Sequence, residues 1–161
     1  VSDALAPLQA AGRIRCIAIG ARDDQLQGTP FEAVAWREET EVATLHACDI
    51  GIMPLPDAPW ERGKCGYKLI QYMACGLPVV ASPVGVNTDL VTPGDNGFLA
   101  ADGAQWKDAI SALVDDAALR RRMGDSGRAR VEQTYSVQAQ APRLVDLLTR
   151  AANSERDACA G

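Results

Sequence analysis

Short apolar runs alternate with longer amphipathic segments along most of this chain. The apolar runs are rich in β-branched residues, and glycine, proline or aspartate bounds most of them. Several are apolar at nearly every position, which is typical of strands that are buried on both faces of a parallel sheet. We therefore predict strands at residues 14–19, 33–36, 50–55, 78–81 and 97–100.

The segments between and after these runs have the period of amphipathic helices. They predict helices at residues 3–11, 38–47, 66–75, 102–114, 117–133 and 137–152, the last with an apolar stripe that includes Leu144 and Leu148. Two glycines at 124 and 127 are expected to break or kink the fifth helix. The order of elements predicts an α/β fold, a Rossmann-like parallel sheet flanked by helices, with one domain at 1–152 and a frayed tail at 153–161.

Composition and charge narrow the class of protein. A length of 161 residues fits one domain with one core. The net charge of -5 argues against nucleic-acid binding, which needs clustered lysine and arginine. No apolar run reaches the roughly 20 residues of a membrane span, and the N-terminus lacks the order of a signal peptide, so we expect a cytoplasmic protein. The five cysteines form no C-x-x-C pair and indicate neither a disulfide framework nor a zinc site.

Residues 64–82 carry the clearest chemical signal, and they predict a helix, a glycine stop and a strand. If the helix starts at Lys64, its side chain shares one face with Lys68, Gln71 and Cys75. Two lysines one turn apart at a helix N-terminus repel each other and the helix dipole. A phosphate held by the free N–H groups near Gly66 and by Lys68 would remove the conflict. The alternative is that both lysines are simply solvated.

The same segment resembles the donor-binding helix and the following strand of GT-B glycosyltransferases of the "glycosyl transferases group 1" type. The motifs Met73-Ala-Cys-Gly76 and Pro78-Val-Val-Ala-Ser82 match that family as they stand. The usual pair of glutamates is absent, because Gly63 and Gln71 occupy their positions. A lysine in this helix meets the donor phosphates in a subgroup of the family, so the resemblance makes Lys68 the preferred phosphate contact.

Further landmarks extend the resemblance over nearly the whole chain: the strand that ends in Gly20, the turn at 85–89, and the short strand at 96–99. The resemblance implies binding of a nucleotide diphosphate sugar of unknown base, with the sugar near the loop 55–63 and no metal or cofactor. It implies these binding residues: Gly20, Lys64, Gly66, Tyr67, Lys68, Gln71, Gly85 and Asn87. It assigns no catalytic residue, and His46, late in a predicted helix without a nearby partner, is not expected to be one.

The resemblance implies that this chain starts after the first strand of the family's domain and that it lacks the family's acceptor domain. That first strand would be central in a doubly wound sheet. Three outcomes are open: the remaining strands close the gap, a second chain fills it, or the fragment is only partly native. We expect self-association, because an uncovered strand edge pairs readily and the stripe of the final helix needs cover.

The expected function is the donor-binding half of a retaining glycosyltransferase, with little or no activity alone because the acceptor-side groups are missing. Its partners would be a nucleotide sugar and either the missing acceptor domain or a second copy of the chain. The alternative is a non-catalytic nucleotide-binding or self-associating module derived from that domain. A receiver-like domain is disfavoured, because residues 20–24 lack the expected acidic cluster after the first strand.

Overall fold

A computed structural model describes the backbone of residues 1–159 and the side chains of residues 1–153. Strands and helices alternate through the first hundred residues, and three helices follow. The elements are α1 (Ser2–Ala10), β1 (Cys16–Ile19), β2 (Phe31–Val34), α2 (Glu41–His46), β3 (Gly51–Met53), α3 (Pro59–Arg62), α4 (Tyr67–Ala74), β4 (Val79–Ala81), α5 (Asn87–Leu90), β5 (Gly97–Leu99), α6 (Gly103–Asp115), α7 (Ala117–Thr134) and α8 (Val137–Cys159).

All five predicted strands are present, and one is displaced. Strand β2 ends at Val34 instead of at residue 36, and the Gly20 N–H donates the last hydrogen bond of the ladder to the Val34 carbonyl. The helix predicted at 38–47 is a 3₁₀ turn, Glu38–Thr40, followed by α2. Helix α8 continues to Cys159, past its predicted end at Ala152. The last two residues of the predicted frayed tail lie outside the described residues.

The strands form two separate parallel sheets. Strands β1 and β2 pair with Cys16 opposite Phe31, and β4 pairs on both sides, with Val79 opposite Gly51 of β3 and Gly97 of β5. Strands β1 and β3 share no ladder. The remaining strands therefore do not close the gap that the sequence led us to expect. The parallel strands and flanking helices confirm the predicted fold class.

The core lies on both faces of β4, whose three residues are fully buried. Val80 packs on the side of α1 and α6, whereas Val79 and Ala81 pack on the side of α4 and α5. This alternation explains the uniformly apolar sequence of the strand, because both of its faces need apolar side chains.

Helix α7 runs uninterrupted through Gly124 and Gly127, so the expected break is wrong. Both glycines are buried against α4 and the turn that follows it. A Cβ atom at residue 127 would lie 3.0 Å from Met73 Cγ. The glycines therefore permit close helix packing, and the surrounding contacts outweigh their low helix propensity.

A slot of about 840 Å³ separates the two sheets. The facing strands β1 and β3 form two of its walls, and helices close the others. Apolar side chains supply most of the lining: Leu5, Ile17, Ile19, Phe31, Leu45, Ile52, Tyr72, Leu77 and Ile110. Strands β1 and β3 both line the slot and share no ladder, so the sheet is interrupted there.

Helix α8 contacts α7, but every described side chain of α8 from residue 140 onward is exposed. Val137, Leu144, Val145, Leu147 and Leu148 are all exposed. Among the described residues, none of the helices combines the length and apolarity that a membrane crossing requires.

Candidate functional site

The loops that follow β3 and β4 meet at the carboxyl edge of the three-stranded sheet. The Leu55 N–H donates to Ser82 Oγ at 2.9 Å, which ties the two loops together. Open parallel sheets bind ligands at this edge, where the loops leave the strands. Most of the predicted site residues follow these two strands.

Gly66 shapes the start of α4. It caps the helix in the left-handed conformation, with φ 69° and ψ 16°, and it makes no side-chain cap. A Cβ atom there would overlap Leu90 Cδ1 and lie 2.9 Å from Val86 Cγ1. The first N–H groups of an α-helix have no partner within the helix, so the N–H groups of Tyr67 and Lys68 are available to an anion.

The two predicted phosphate-binding lysines do not share a helix face. Lys64 precedes the left-handed turn at Gly66, and its Nζ lies 3.8 Å from Glu61 Oε1. Lys68 lies in the first turn of α4, with its Nζ 4.0 Å from Glu41 Oε1. The expected face was wrong because the turn at Gly66 ends any helical continuation from Lys64. Both lysines are substantially exposed, so these ion pairs are weak and can yield to a ligand.

Glu41 joins the candidate site from a neighbouring helix. Its carboxylate accepts a hydrogen bond from Gln71 Nε2 at 3.3 Å, and its side chain is 22% exposed. The Oε1 atom of Gln71 is buried without a hydrogen-bond partner. Glu41 was not predicted from the sequence, because no local pattern connects two residues that lie thirty positions apart.

The turn after β4 holds the next two predicted residues. Gly85 has a φ of 54°, and a Cβ atom there would lie 2.6 Å from the Arg62 carbonyl oxygen, so this turn is pressed against the loop 55–63. Asn87 is 1% exposed and donates from Nδ2 to the Ser82 carbonyl at 3.0 Å. Its Oδ1 is buried without a partner.

Within the loop 55–63, Arg62 pairs with Asp57 at 2.6 Å between Nε and Oδ1. The hydrogen bond from this guanidinium lowers the pKa of the Asp57 carboxyl below its ordinary value. Asp57 therefore stays ionised and holds Arg62, whose carbonyl contacts the turn at Gly85.

Two predicted residues lie at the margins. Gly20 follows β1, on the other side of the slot from α4. Tyr67 begins α4 and is 60% exposed, so its ring covers no core. The structure thus groups Gly66, Lys68 and Gln71 around the start of α4, and places Gly85 and Asn87 in the adjoining turn.

Metal ligands do not cluster in this region. Among the residues that the structure describes, no group of three or more His, Cys, Asp or Glu side chains could hold a metal ion. His46 is exposed at the C-terminal end of α2.

The family model described as "Glycosyl transferases group 1" matches residues 1–116, which is well over half of the chain. The chain belongs to this family. The resemblance carried by residues 64–82 is thereby confirmed.

Similarity to a curated relative supports the same family assignment for this glycosyl transferase chain. It is the GDP-mannose-dependent monoacylated alpha-(1-6)-phosphatidylinositol monomannoside mannosyltransferase of Corynebacterium glutamicum, 31% identical over 110 residues. The match covers 66% of this chain and 29% of the relative. This chain therefore corresponds to less than a third of the relative's length.

Two solved structures share the fold. Sucrose-phosphate synthase from Thermosynechococcus elongatus superposes with a TM-score of 0.74 at 23% identity, covering 95% of this chain and 43% of that one. The HepE protein of Anabaena, in complex with UDP and glucose, gives a TM-score of 0.69 at 22% identity, covering 91% and 43%. At these identities the likeness concerns the GT-B fold.

Proposed function

We propose that this chain is the donor-binding half of a retaining glycosyltransferase that uses a nucleotide diphosphate sugar. The observation that carries the proposal is the left-handed turn at Gly66, which leaves the N-terminal N–H groups of α4 uncapped beside Lys68. A helix N-terminus with an adjacent lysine favours a phosphate group both by hydrogen bonding and by charge.

The protein's part in the reaction would be positioning and electrostatic stabilisation. As the bond between the sugar and the diphosphate breaks, negative charge grows on the leaving diphosphate. Lys68, released from its weak pair with Glu41, and the N–H groups of α4 would offset that charge. Lys64 would join them by leaving its weak pair with Glu61, which a flexible, 40% exposed side chain permits.

The sugar of the donor would lie between the loop 55–63 and the turn after β4. The buried, unpaired Oδ1 of Asn87 supports this placement, because a sugar hydroxyl would give it the missing donor. Gly85 would keep the turn free of a side chain beside the sugar. Gly20 and Tyr67 would border the nucleotide.

The base of the donor stays open in this proposal. The mannosyltransferase relative is named for GDP-mannose, whereas the HepE structure contains UDP and glucose. These names agree on a nucleoside diphosphate and disagree on the base.

We also propose that one further parallel strand, in addition to the five described above, occupies the slot between β1 and β3. Strands β1 and β3 are each paired on one side only. The lining of the slot is mainly apolar, as a strand that is buried on both faces requires. The strand would come from the polypeptide that carries the acceptor half or from a second copy of this chain. The exposed stripe of α8 offers a second surface for the same contact.

Calorimetry with UDP, GDP and ADP tests the donor site. We expect the chain to bind at least one of these nucleotides, and Lys68→Ala to weaken that binding about tenfold or more, because it removes a charge-assisted contact. Lys107→Ala, an exposed lysine on α6, is the matched control and should bind like the wild type. No binding at millimolar nucleotide would favour the alternative of an interaction module, and sugar transfer by the chain alone would contradict its predicted inactivity.

A further inference from the structure

Three polar side chains line one part of the otherwise mainly apolar slot: Glu41, Lys68 and Gln71. Gln71 donates to Oε1 of Glu41 and leaves its own Oε1 buried and unpaired. Among the described residues, the other carboxylate oxygen of Glu41 also accepts no hydrogen bond. The two hydrogen-bonded side chains therefore offer one further oxygen acceptor each.

The chemistry of this group restricts its ligand. Acceptors on two side chains that are joined by a hydrogen bond suit a ligand with two donor hydrogens on adjacent atoms. A metal cation would also suit two oxygens, but the Lys68 ammonium lies 4.0 Å from the carboxylate and disfavours a second cation. A free phosphate could pair with Lys68, but it has almost no hydrogen-bond donors for the oxygens of Glu41 and Gln71. A vicinal diol that is joined to a phosphate satisfies all three side chains.

The order of the residues along α4 sets the orientation of such a ligand. Lys68 lies in the first turn, and Gln71 follows three residues later, about 4.5 Å further along the helix axis. A phosphate at the N-terminus would thus place the attached diol beside Gln71 and Glu41.

We infer that the Glu41 carboxylate, held in place by Gln71, binds the ribose hydroxyls of the donor nucleotide. The inference rests on the proposed function, which requires a nucleoside diphosphate at α4. Helix α4 carries the amide Gln71 where the family usually has a glutamate. The acidic group would come instead from Glu41 of α2, thirty residues earlier in the sequence. Glu41 and Lys68 then have separate partners, the diol and the phosphate, and their weak mutual pair is exchanged for these contacts.

Nucleotides that lack the diol test this inference. The affinities of the 161-residue chain are measured by calorimetry for UDP, GDP and ADP and for their 2′,3′-dideoxy forms. For the nucleotide that binds, the wild type should prefer the ribose form about tenfold or more, since hydroxyls bonded to a carboxylate are lost. Glu41→Ala should reduce this preference to about twofold or less, mainly by weakening binding of the ribose form.

Two further variants keep the result interpretable. Glu41→Gln keeps an oxygen that can accept the Gln71 bond but loses the charge, so it should show an intermediate preference even if the alanine variant is less stable. Glu39→Ala removes an exposed neighbouring carboxylate and should retain the full preference. Thermal unfolding of each variant checks that the fold is intact.

The outcomes separate this inference from the proposed function. If the wild type binds no nucleotide, the proposed function fails and the inference fails with it. If it binds through Lys68 but Glu41→Ala and Glu41→Gln both keep the full ribose preference, the donor site stands and the role of Glu41 is overturned. An equal loss of affinity for ribose and dideoxy forms would also overturn it, because a diol contact must discriminate between them.

Discussion

Gly124 of α7 lies directly against the carbonyl oxygen of Gly76, at the turn between α4 and β4. A Cβ atom at residue 124 would overlap this oxygen. The contact brings α7 against the end of the helix that carries the candidate site. A sequence feature that suggested a helix break is therefore a packing contact.

Gly124→Ala should lower the free energy of unfolding by roughly 2–3 kcal/mol, because the obstacle is backbone and cannot rotate away. Chemical denaturation measures the change. Gly103→Ala is the matched control, since residue 103 also lies in a helix but the nearest atom is 3.9 Å from a Cβ placed there. An equal effect of both substitutions would mean that helix propensity, and not the contact with Gly76, decides.

Gly66→Ala should abolish nucleotide binding as well as destabilise the chain. It places a side chain in the left-handed region, at about 1–2 kcal/mol, and drives Cβ into Leu90, which would turn the start of α4 away from its ligand. Calorimetry and denaturation together measure the two effects.

Gly76→Ala is the control that distinguishes backbone strain from a steric effect at the start of α4. Its φ of 72° imposes a similar backbone cost, but nothing lies within 4 Å of the added atom. We expect it to destabilise the chain while the nucleotide still binds. Unchanged binding in Gly66→Ala would contradict the placement of the phosphate at this turn.

Thiol labelling should report whether the slot is filled. Cys16 and Cys48 line the slot, whereas Cys65 is exposed outside it. Burial raises the pKa of the Cys16 and Cys48 thiols above their ordinary values. Because the thiolate is the reacting form, both should label slowly at neutral pH and faster as pH rises toward those pKa values.

A second labelling experiment distinguishes the two possible sources of the strand that fills the slot. If the polypeptide that carries the acceptor half supplies it, Cys48, which is partly exposed, should be protected in the presence of that polypeptide and more reactive in the 161-residue chain, whereas Cys16 is buried already. If a second copy supplies it, protection should grow with the concentration of the chain. Mass spectrometry follows each site, and Cys65 provides the internal reference. If the reactivity of Cys48 is the same under all these conditions, the slot is not filled.

The sequence predicted those elements well in which burial follows a regular pattern over consecutive residues. Strand β4 is apolar throughout because both of its faces are covered, and that burial is visible in three consecutive residues. Strand β2 is displaced by two residues, since its register is set by pairing with β1 and with Gly20, which are distant in sequence. The short helices α3 and α5 were not predicted, because four residues carry too little periodicity.

The candidate site was predicted less completely than the fold. The segment around Gly66 and Lys68 was identified from its own residues and from its resemblance to the family. The prediction that Lys64 and Lys68 share one helix face was wrong, because the left-handed backbone at Gly66 keeps Lys64 out of the helix. Glu41 was missed entirely.

The sequence by itself determined the family, the order of strands and helices, and the segment that holds the candidate donor site. These properties depend on periodicity and on motifs whose residues are neighbours along the chain. Only the tertiary structure decided that the sheet is divided by a slot, that Glu41 meets Gln71, and that Gly124 packs on Gly76. Each of these is a contact between distant residues, and its geometry follows from how whole elements pack, which no local pattern specifies.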